Sequence, residues 1–137
     1  MGFTVEEANG VLADNFAPWV RDLGLLVEQV EPGVATLRLP WSDRLARAGG
    51  ALSGQALMAA ADTATVIAIS AARGGFVPMT TVQLSTTFQR PIAGVDVQVL
   101  ARVTKLGRTL AFADIALTPD GASAPAAQAH TVYALLG

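Results

Sequence analysis

The chain has 137 residues, of which 52% are hydrophobic and 15% are charged, and it contains no cysteine. Its length predicts a single domain over residues 1–137 with one substantial core. The lack of cysteine excludes disulfides and thiolate chemistry, and the formal net charge of −2 argues against a nucleic-acid-binding protein. Because so apolar a chain is expected to bury surface between subunits, we predict an oligomer.

The N-terminal region predicts a short helix rather than a targeting signal. Residues 1–16 carry early acidic residues and lack the basic-then-apolar pattern of a signal peptide, so we expect a cytoplasmic protein. Thr4 and Glu7 form a capping-box pattern, which predicts a helix that ends near Asp14. A turn around Pro18 follows.

The next part of the chain predicts a β-hairpin. Residues 25–30 and 34–39 partly alternate apolar and polar side chains, and Glu31-Pro32-Gly33 lies between them. The alternation is imperfect, so the register of the two strands is left open. Residues 42–50 are predicted to form a loop.

Residues 48–72 are the organising stretch of the chain, because Asp62 is their only charged residue. Alanine, leucine and methionine favour helix, and Ser53 is a suitable N-cap, which together predict one helix over residues 53–72. This helix is apolar on nearly all sides, so the rest of the fold should cover it. It contains an internal aspartate and several hydroxyls, which favours a packed core helix over a membrane span.

Asp62 is informative because an unpaired carboxylate is costly to bury in such a helix. It should therefore have hydrogen-bond partners, titrate upward or face a cleft. One interpretation is structural, with Asp62 held by hydroxyls such as those of Thr63 or Thr65. The other is functional, since perturbed carboxylates often mark active sites.

Four further runs of strand-like residues follow the helix, at 79–90, 95–106, 109–118 and 126–136. The short Gly107-Arg108 link predicts that the second and third of these form a hairpin. The order of elements, a hairpin, one long helix and then an antiparallel meander, predicts an α+β fold in which a curved antiparallel sheet of five to six strands wraps around the central helix.

Several kinds of chemistry are disfavoured by the residues present. His130 is the only histidine, and without a G-x-S-x-G elbow a Ser-His-Asp triad is not expected. We interpret His130 as a structural or exposed strand residue. No cluster of histidine and cysteine predicts a metal site, and no P-loop or G-x-G-x-x-G motif is present.

The start of the long helix and Asp62 remain as candidates for catalysis. The free N–H groups of Gly54 and Gln55 suit a carbonyl oxygen that becomes an oxyanion, and a carboxylate can serve as nucleophile or base in acyl transfer. Eight residues separate Gly54 from Asp62, which is roughly 12 Å along one helix. One helix cannot present both to the same carbonyl, so we predict a dimer with two composite sites.

Several motifs resemble those of the PaaI-like hotdog-fold thioesterases. Ser53-Gly54-Gln55, followed by Asp62 after six residues and Ala64 beyond it, resembles their pattern H-G-G, six residues, then D-x-A. Three later motifs also resemble the family in order and spacing: Thr80-Thr81-Val82-Gln83-Leu84, Phe88-Gln89-Arg90-Pro91 with Gly94, and Leu106-Gly107-Arg108-Thr109.

The resemblance implies a hotdog fold, a dimer or tetramer of dimers, and hydrolysis of acyl-CoA thioesters. It implies that Asp62 is the catalytic carboxylate and that the Gly54 N–H polarises the thioester carbonyl. Ser53 stands where the family often has histidine, and Gln55 replaces its second glycine. Some relatives have a water-holding hydroxyl one turn after the carboxylate, for which Thr65 is the available substitute.

Basic residues concentrate in residues 44–110, and eight of the nine in the chain are arginine, the side chain suited to phosphates. Arg90 and Arg108, with Arg47 and Lys105, are our candidates for contacts with the CoA phosphates. CoA is part of the substrate, so no separate cofactor is expected. The alternatives are surface or inter-subunit ion pairs.

Three other functions compete with hydrolysis. A dehydratase of the same fold is disfavoured by the missing motif histidine. A non-catalytic acyl-CoA-binding protein, or a structural hotdog dimer, is the alternative of a different class. A transcription factor would need a basic extension that the acidic N-terminal third does not provide.

Overall fold

The computed structural model describes residues 2–137 and begins with a capped helix, α1, at Val5–Asn15. The Thr4 hydroxyl accepts a hydrogen bond from the Glu7 N–H at 3.1 Å, and the Glu7 carboxylate accepts one from the Thr4 N–H at 3.0 Å. This reciprocal pair confirms the predicted capping box. A one-turn helix, α2, follows at Pro18–Arg21.

The predicted hairpin is formed by β1, Leu26–Glu31, and β2, Val34–Leu39. Gly33 adopts a φ of +76°, which a residue without Cβ reaches at little cost. The register shifts between Val27 and Gln29, so one residue of β1 is bulged. This bulge explains why apolar and polar residues alternate imperfectly in the sequence.

The long helix α3 spans Gly54–Arg73, as predicted to within one residue at each end. Ser53 is its N-cap, and the Ser53 hydroxyl accepts a hydrogen bond from the Ala56 N–H at 3.2 Å. Gly74 ends the helix in the left-handed conformation, with a φ of +84°.

Helix α3 is long and apolar enough to pass for a membrane span, but 78% of its most apolar window is buried inside the protein. Thirteen of its 20 residues are buried, and many are alanines that allow close approach to the sheet. The helix is therefore the core element that the sequence predicts.

Six antiparallel strands form one sheet around α3, in the order β1-β2-β4-β5-β6-β3. The four strands after the helix are β3 (Met79–Phe88), β4 (Val97–Leu106), β5 (Leu110–Pro119) and β6 (Ala127–Leu135). This α+β arrangement is the hotdog fold, which confirms the predicted fold class.

The strand order corrects one part of the prediction, because β3 does not continue the meander into β4. Instead β4 pairs with β2, and β3 pairs with β6 at the far edge of the sheet. The link between β3 and β4 passes the start of α3, where the Leu52 N–H donates to the Ile92 carbonyl at 2.8 Å. A link that crosses the end of a helix can join strands that are not neighbours, and local sequence does not encode that choice.

Candidate active site

Asp62 lies half-buried on α3 and is held by hydroxyl groups from two strands. Thr81 of β3 donates to the Asp62 Oδ1 at 2.9 Å. Tyr133 of β6 donates a very short hydrogen bond to the same oxygen and also reaches the Asp62 carbonyl at 3.0 Å. No hydrogen-bond donor in the described chain reaches Oδ2. Oδ1 of Asp62 is thus fixed by hydrogen bonds, whereas Oδ2 is open, meaning that no group of the described chain donates to it.

Tyr133 is only 3% exposed, and it lies directly opposite Thr81 in the pairing of β3 with β6. Burial, and then the negative charge of Asp62, raise the pKa of the Tyr133 hydroxyl far above its ordinary value. The phenol therefore stays protonated, and a donor, at any physiological pH.

The partners of Asp62 differ from those that the structural interpretation suggested. Thr65 points into the core, where its hydroxyl donates to the Ala61 carbonyl at 2.9 Å and lies 3.0 Å from the Thr131 hydroxyl. Thr63 lines a separate cavity of about 330 Å³ beneath α1. Around the helix, Thr63 lies about 100° to one side of Asp62 and Thr65 about 60° to the other, and the hydroxyl of Thr65 is engaged in the core instead of at the carboxylate.

Sequence reasoning gave no role to Tyr133 or to Thr81, although both were visible. Tyr133 is the only tyrosine in the chain and occupies an inward position in the alternation of the last strand. Thr81 lies within a motif that supported the family resemblance. The pairing of β3 with β6 was needed to bring them together.

The start of α3 has two backbone N–H groups available. The Ser53 hydroxyl accepts from Ala56, and the Ser53 carbonyl accepts from the Leu57 N–H at 3.3 Å. The N–H groups of Gly54 and Gln55 have no acceptor within residues 2–137. They are free to bind an anion or a polarised carbonyl.

Gly54 lies directly beneath the ring of Phe88. A Cβ added at Gly54 would lie 3.3 Å from the Phe88 Cζ, so a larger residue there would require the half-exposed Phe88 ring to shift by a few tenths of an ångström. Gly54, Phe88, Arg47 and Arg90 line a groove of about 270 Å³.

Ser53 and Gln55 line a different groove, of about 250 Å³, on the other side of the helix start. That groove also contains Trp19, which is 61% exposed, and Arg44. The three residues of the motif thus face two surfaces rather than one.

The four basic candidates divide into two pairs. Arg47 and Arg90 lie in the Gly54 groove, and the Arg90 guanidinium donates to the Pro125 carbonyl at 2.6 Å. Lys105 lines a cavity with Ala72, near the C-terminal end of α3. Arg108 lies three residues further on, in the turn between β4 and β5, and is exposed.

Within one subunit, Gly54 and Asp62 remain two turns apart on α3, roughly 12 Å along its axis. The fold brings Asp62 together with Thr81 and Tyr133, and Gly54 together with Arg47 and Arg90. It does not bring the two groups to one point.

His130 is an exposed strand residue, as interpreted from the sequence. Its Nδ1 lies 2.6 Å from the Asp114 Oδ1, and the two side chains are 69% and 56% exposed. Ser85 of β3 and Asp114 of β5 flank His130 in the sheet. All three side chains lie on the outer face, away from α3 and Asp62.

Comparison with known proteins places the chain in a family. The profile of the Thioesterase superfamily matches residues 49–123, which include the start of α3 and Asp62. The protein named "Putative esterase TV1331" from Thermoplasma volcanium is 31% identical over 109 residues, covering 79% of this chain and 80% of that protein.

Solved structures agree with this assignment. Zebrafish thioesterase superfamily member 2 is 26% identical, with a TM-score of 0.85, and the match covers 97% of this chain and 99% of that one. A mutant of the phenylacetic acid degradation protein PaaI from Thermus thermophilus is 26% identical, with a TM-score of 0.76, covering 88% of this chain and 100% of that one. The fold, the matched residues and these relatives together show that this chain belongs to the thioesterase superfamily and is a PaaI-like thioester hydrolase.

Proposed function

We propose that the protein hydrolyses acyl-CoA thioesters to free acid and CoA at a site shared by two subunits. The observation that carries this proposal is the state of Asp62, which has a fixed Oδ1 and an open Oδ2 on a half-buried helix face. A carboxylate held in this way is suited to attack a carbonyl or to activate a water.

Two features support a dimer. The first is β3, a ten-residue edge strand without a charged residue, in which Val82 is 58% exposed and Phe88 is 47% exposed. Such an edge is a template for pairing with a second chain. We therefore propose that β3 pairs with β3 of a second copy.

The second feature is an uncovered stripe on α3. Gln55, Met58, Ala59 and Asp62 are the residues of its first half that face solvent at helical spacing. If two copies of α3 lie antiparallel with a two-fold axis near Met58, Gly54 of one subunit lies beside Asp62 of the partner subunit. Each dimer then has two equivalent sites.

The chemistry follows from this arrangement. The thioester carbonyl oxygen accepts a hydrogen bond from the Gly54 N–H, at the positive end of the α3 dipole. Oδ2 of Asp62 then attacks the carbonyl carbon, or it takes a proton from a water that attacks. In both routes the C–S bond breaks, the CoA sulfur leaves and water supplies the oxygen of the acid. A role for Thr65 in holding water stays a prediction.

The two pairs of basic residues suit the length of CoA. In the antiparallel dimer, the C-terminal end of the second α3 extends roughly 15 Å beyond Gly54. All four residues are candidates for the CoA phosphates: Arg108 and Lys105 of the partner subunit lie toward the distal end, and Arg47 and Arg90 lie nearer the carbonyl, where a CoA that folds back would bring its phosphates. The proposed reaction uses no metal or cofactor beyond the CoA of the substrate, and we propose a cytoplasmic location.

Thiol release from acyl-CoAs tests this function. Because the chain has no cysteine, a thiol reagent reports CoA alone. With short, medium, long and aryl acyl-CoAs, we expect wild-type turnover of at least one substrate and a loss of about 10³-fold in Asp62→Asn. Asp114→Asn is the matched control, because it removes an exposed carboxylate from the outer face and should keep the wild-type rate.

One observation favours a second candidate, an acyl-CoA-binding protein without turnover. Ser53 replaces the family histidine, and its hydroxyl is occupied as the helix cap. If neither wild type nor Asp62→Asn releases thiol from any substrate, yet calorimetry shows that wild type binds an acyl-CoA, the hydrolase proposal is wrong and the binding function replaces it.

A further inference from the structure

We propose that Tyr133, together with Thr81, is a positioning residue that fixes Asp62 so that Oδ2 is the reacting oxygen. This inference rests on the proposed thioesterase function and deepens it.

The contacts at Asp62 are one-sided. Both hydroxyls donate to Oδ1, and none of the described residues donates to Oδ2. The single hydrogen of the Tyr133 hydroxyl lies within reach of both Oδ1 and the Asp62 carbonyl oxygen, which is 3.0 Å from the hydroxyl, so the phenol lies against the helix backbone as well as the carboxylate. The side chain is thereby held in one orientation, with Oδ2 facing away from both strands.

The type of donor also matters. A lysine or arginine at this position would form an ion pair with the carboxylate, whereas two neutral hydroxyls orient it without a counter-ion. Tyr133 is almost fully buried, so its ring is fixed by packing before substrate arrives. A nucleophile or base that is already oriented loses little further freedom in the transition state.

Thr81 connects this contact to the edge of the sheet. The pairing of β3 with β6 shifts register between Thr81 and Gln83, so Val82 is bulged immediately beside Thr81. A bulge changes the direction of the side chains next to it. The same edge strand that we propose for dimer pairing therefore also aims one of the two donors at Asp62.

The test is Tyr133→Phe, which keeps the buried ring and removes only the hydroxyl. We expect kcat to fall about 10- to 100-fold while KM stays within about twofold, because the lost contact orients Asp62 and does not touch substrate. Ser70→Ala is the matched control, since it removes a buried hydroxyl of α3 that donates only to the Val66 carbonyl. It should leave both constants unchanged.

Three further variants separate positioning from packing. Thr81→Val should lower kcat in the same way, and Thr81→Ser, which restores the hydroxyl, should recover most of the rate. In the Asp62→Asn background, Tyr133→Phe should not lower the residual rate further, because it acts only through Asp62. A general packing defect would lower the rate in both backgrounds.

The outcomes distinguish this inference from the proposed function. If Asp62→Asn abolishes turnover while Tyr133→Phe matches wild type, the positioning role is wrong and the thioesterase function stands. If wild type has no turnover, both are overturned.

Discussion

Asp62 and Asp96 are both partly exposed carboxylates with close hydrogen bonds, but they are held in opposite ways. Asp96 uses both oxygens, since Oδ1 accepts from the Trp41 N–H at 2.7 Å and Oδ2 accepts from Arg38 at 3.2 Å. Asp62 uses one oxygen, and both of its side-chain donors are neutral hydroxyls.

Asp96 is one of three carboxylates that form ion pairs with Arg38. Arg38 also binds Glu28 at 2.9 Å and Asp120 at 2.7 Å, so three carboxylates share one guanidinium. These contacts raise the pKa of Arg38 well above its ordinary value. The Trp41 N–H first, and then Arg38, lower the pKa of Asp96.

The difference teaches how a structural carboxylate and a candidate for catalysis can be told apart in this fold. Both oxygens of Asp96 accept hydrogen bonds and its charge is paired with Arg38, which suits a residue that ties β2 to the loops around it. Asp62 has only neutral donors and one open oxygen, which suits a residue that acts on another molecule. Both Asp62 and Asp96 accept hydrogen bonds, so hydrogen bonding alone does not distinguish them. They differ in how many of their oxygens accept a bond and in whether a donor is charged.

The largest expected effect comes from removing the proposed second subunit, which the proposed site at Asp62 requires and Asp96 does not. Val82→Lys places a charge on the exposed edge strand β3 and should convert the proposed dimer to a monomer. Because the proposed site needs Gly54 and Asp62 from different subunits, we expect kcat/KM to fall at least about 100-fold. Light scattering and thiol release measure the two changes.

Leu26→Lys is the control for this change, because Leu26 is an apolar residue, 49% exposed, on the opposite edge strand β1. It should leave both the mass and the rate unaltered. A monomeric Val82→Lys protein with the full wild-type rate would show that one subunit holds a complete site.

A smaller effect on activity is expected from replacing an arginine. Arg38 and Arg108 differ as Asp96 and Asp62 do, because one is engaged within the subunit and the other is not. Arg38 is occupied by three carboxylates, whereas Arg108 has no ion pair within residues 2–137. We expect Arg108→Ala to raise KM for an acyl-CoA about tenfold with little change in kcat, since it removes one charge-assisted phosphate contact.

Initial-rate measurements over a range of substrate concentration give both constants. Arg102→Ala serves as the control, because Arg102 is an exposed arginine in the middle of β4 on the outer face. An unchanged KM in Arg108→Ala would exclude Arg108 from the CoA site.

The smallest effect concerns the stability provided by Asp96. Because folding lowers the pKa of Asp96, its ionised form stabilises the native state at neutral pH, and this contribution is lost as the pH falls through the lowered value. Asp96→Asn should therefore lower Tm at pH 7 by no more than a few degrees.

The deficit of Asp96→Asn should shrink as the pH falls below about 4, because the Asp96 carboxylate of the unfolded chain begins to be protonated there while that of the native protein is still ionised. Calorimetry at several pH values measures it. A deficit that is constant between about pH 7 and about pH 3 would mean that the ionised form of Asp96 is not what stabilises the fold.

The sequence alone determined the main elements because their signals are local. The capping box of α1, the N-cap of α3 and the hairpin turns each depend on residues a few positions apart. The helix over Gly54–Arg73 was predictable because its composition leaves no other way to bury so many apolar side chains. Asp62 stood out for the same reason, as the one acidic residue within that helix.

Only the tertiary structure decided which strands are neighbours and which groups meet Asp62. Thr81 and Tyr133 are 52 residues apart, and they meet because β3 pairs with β6 rather than with β4. Strand pairing depends on how the whole sheet closes around the helix, so residues next to Asp62 in sequence, such as Thr63 and Thr65, gave the wrong partners. The sequence therefore identified the carboxylate, and the closing of the sheet determined which of its oxygens stays open.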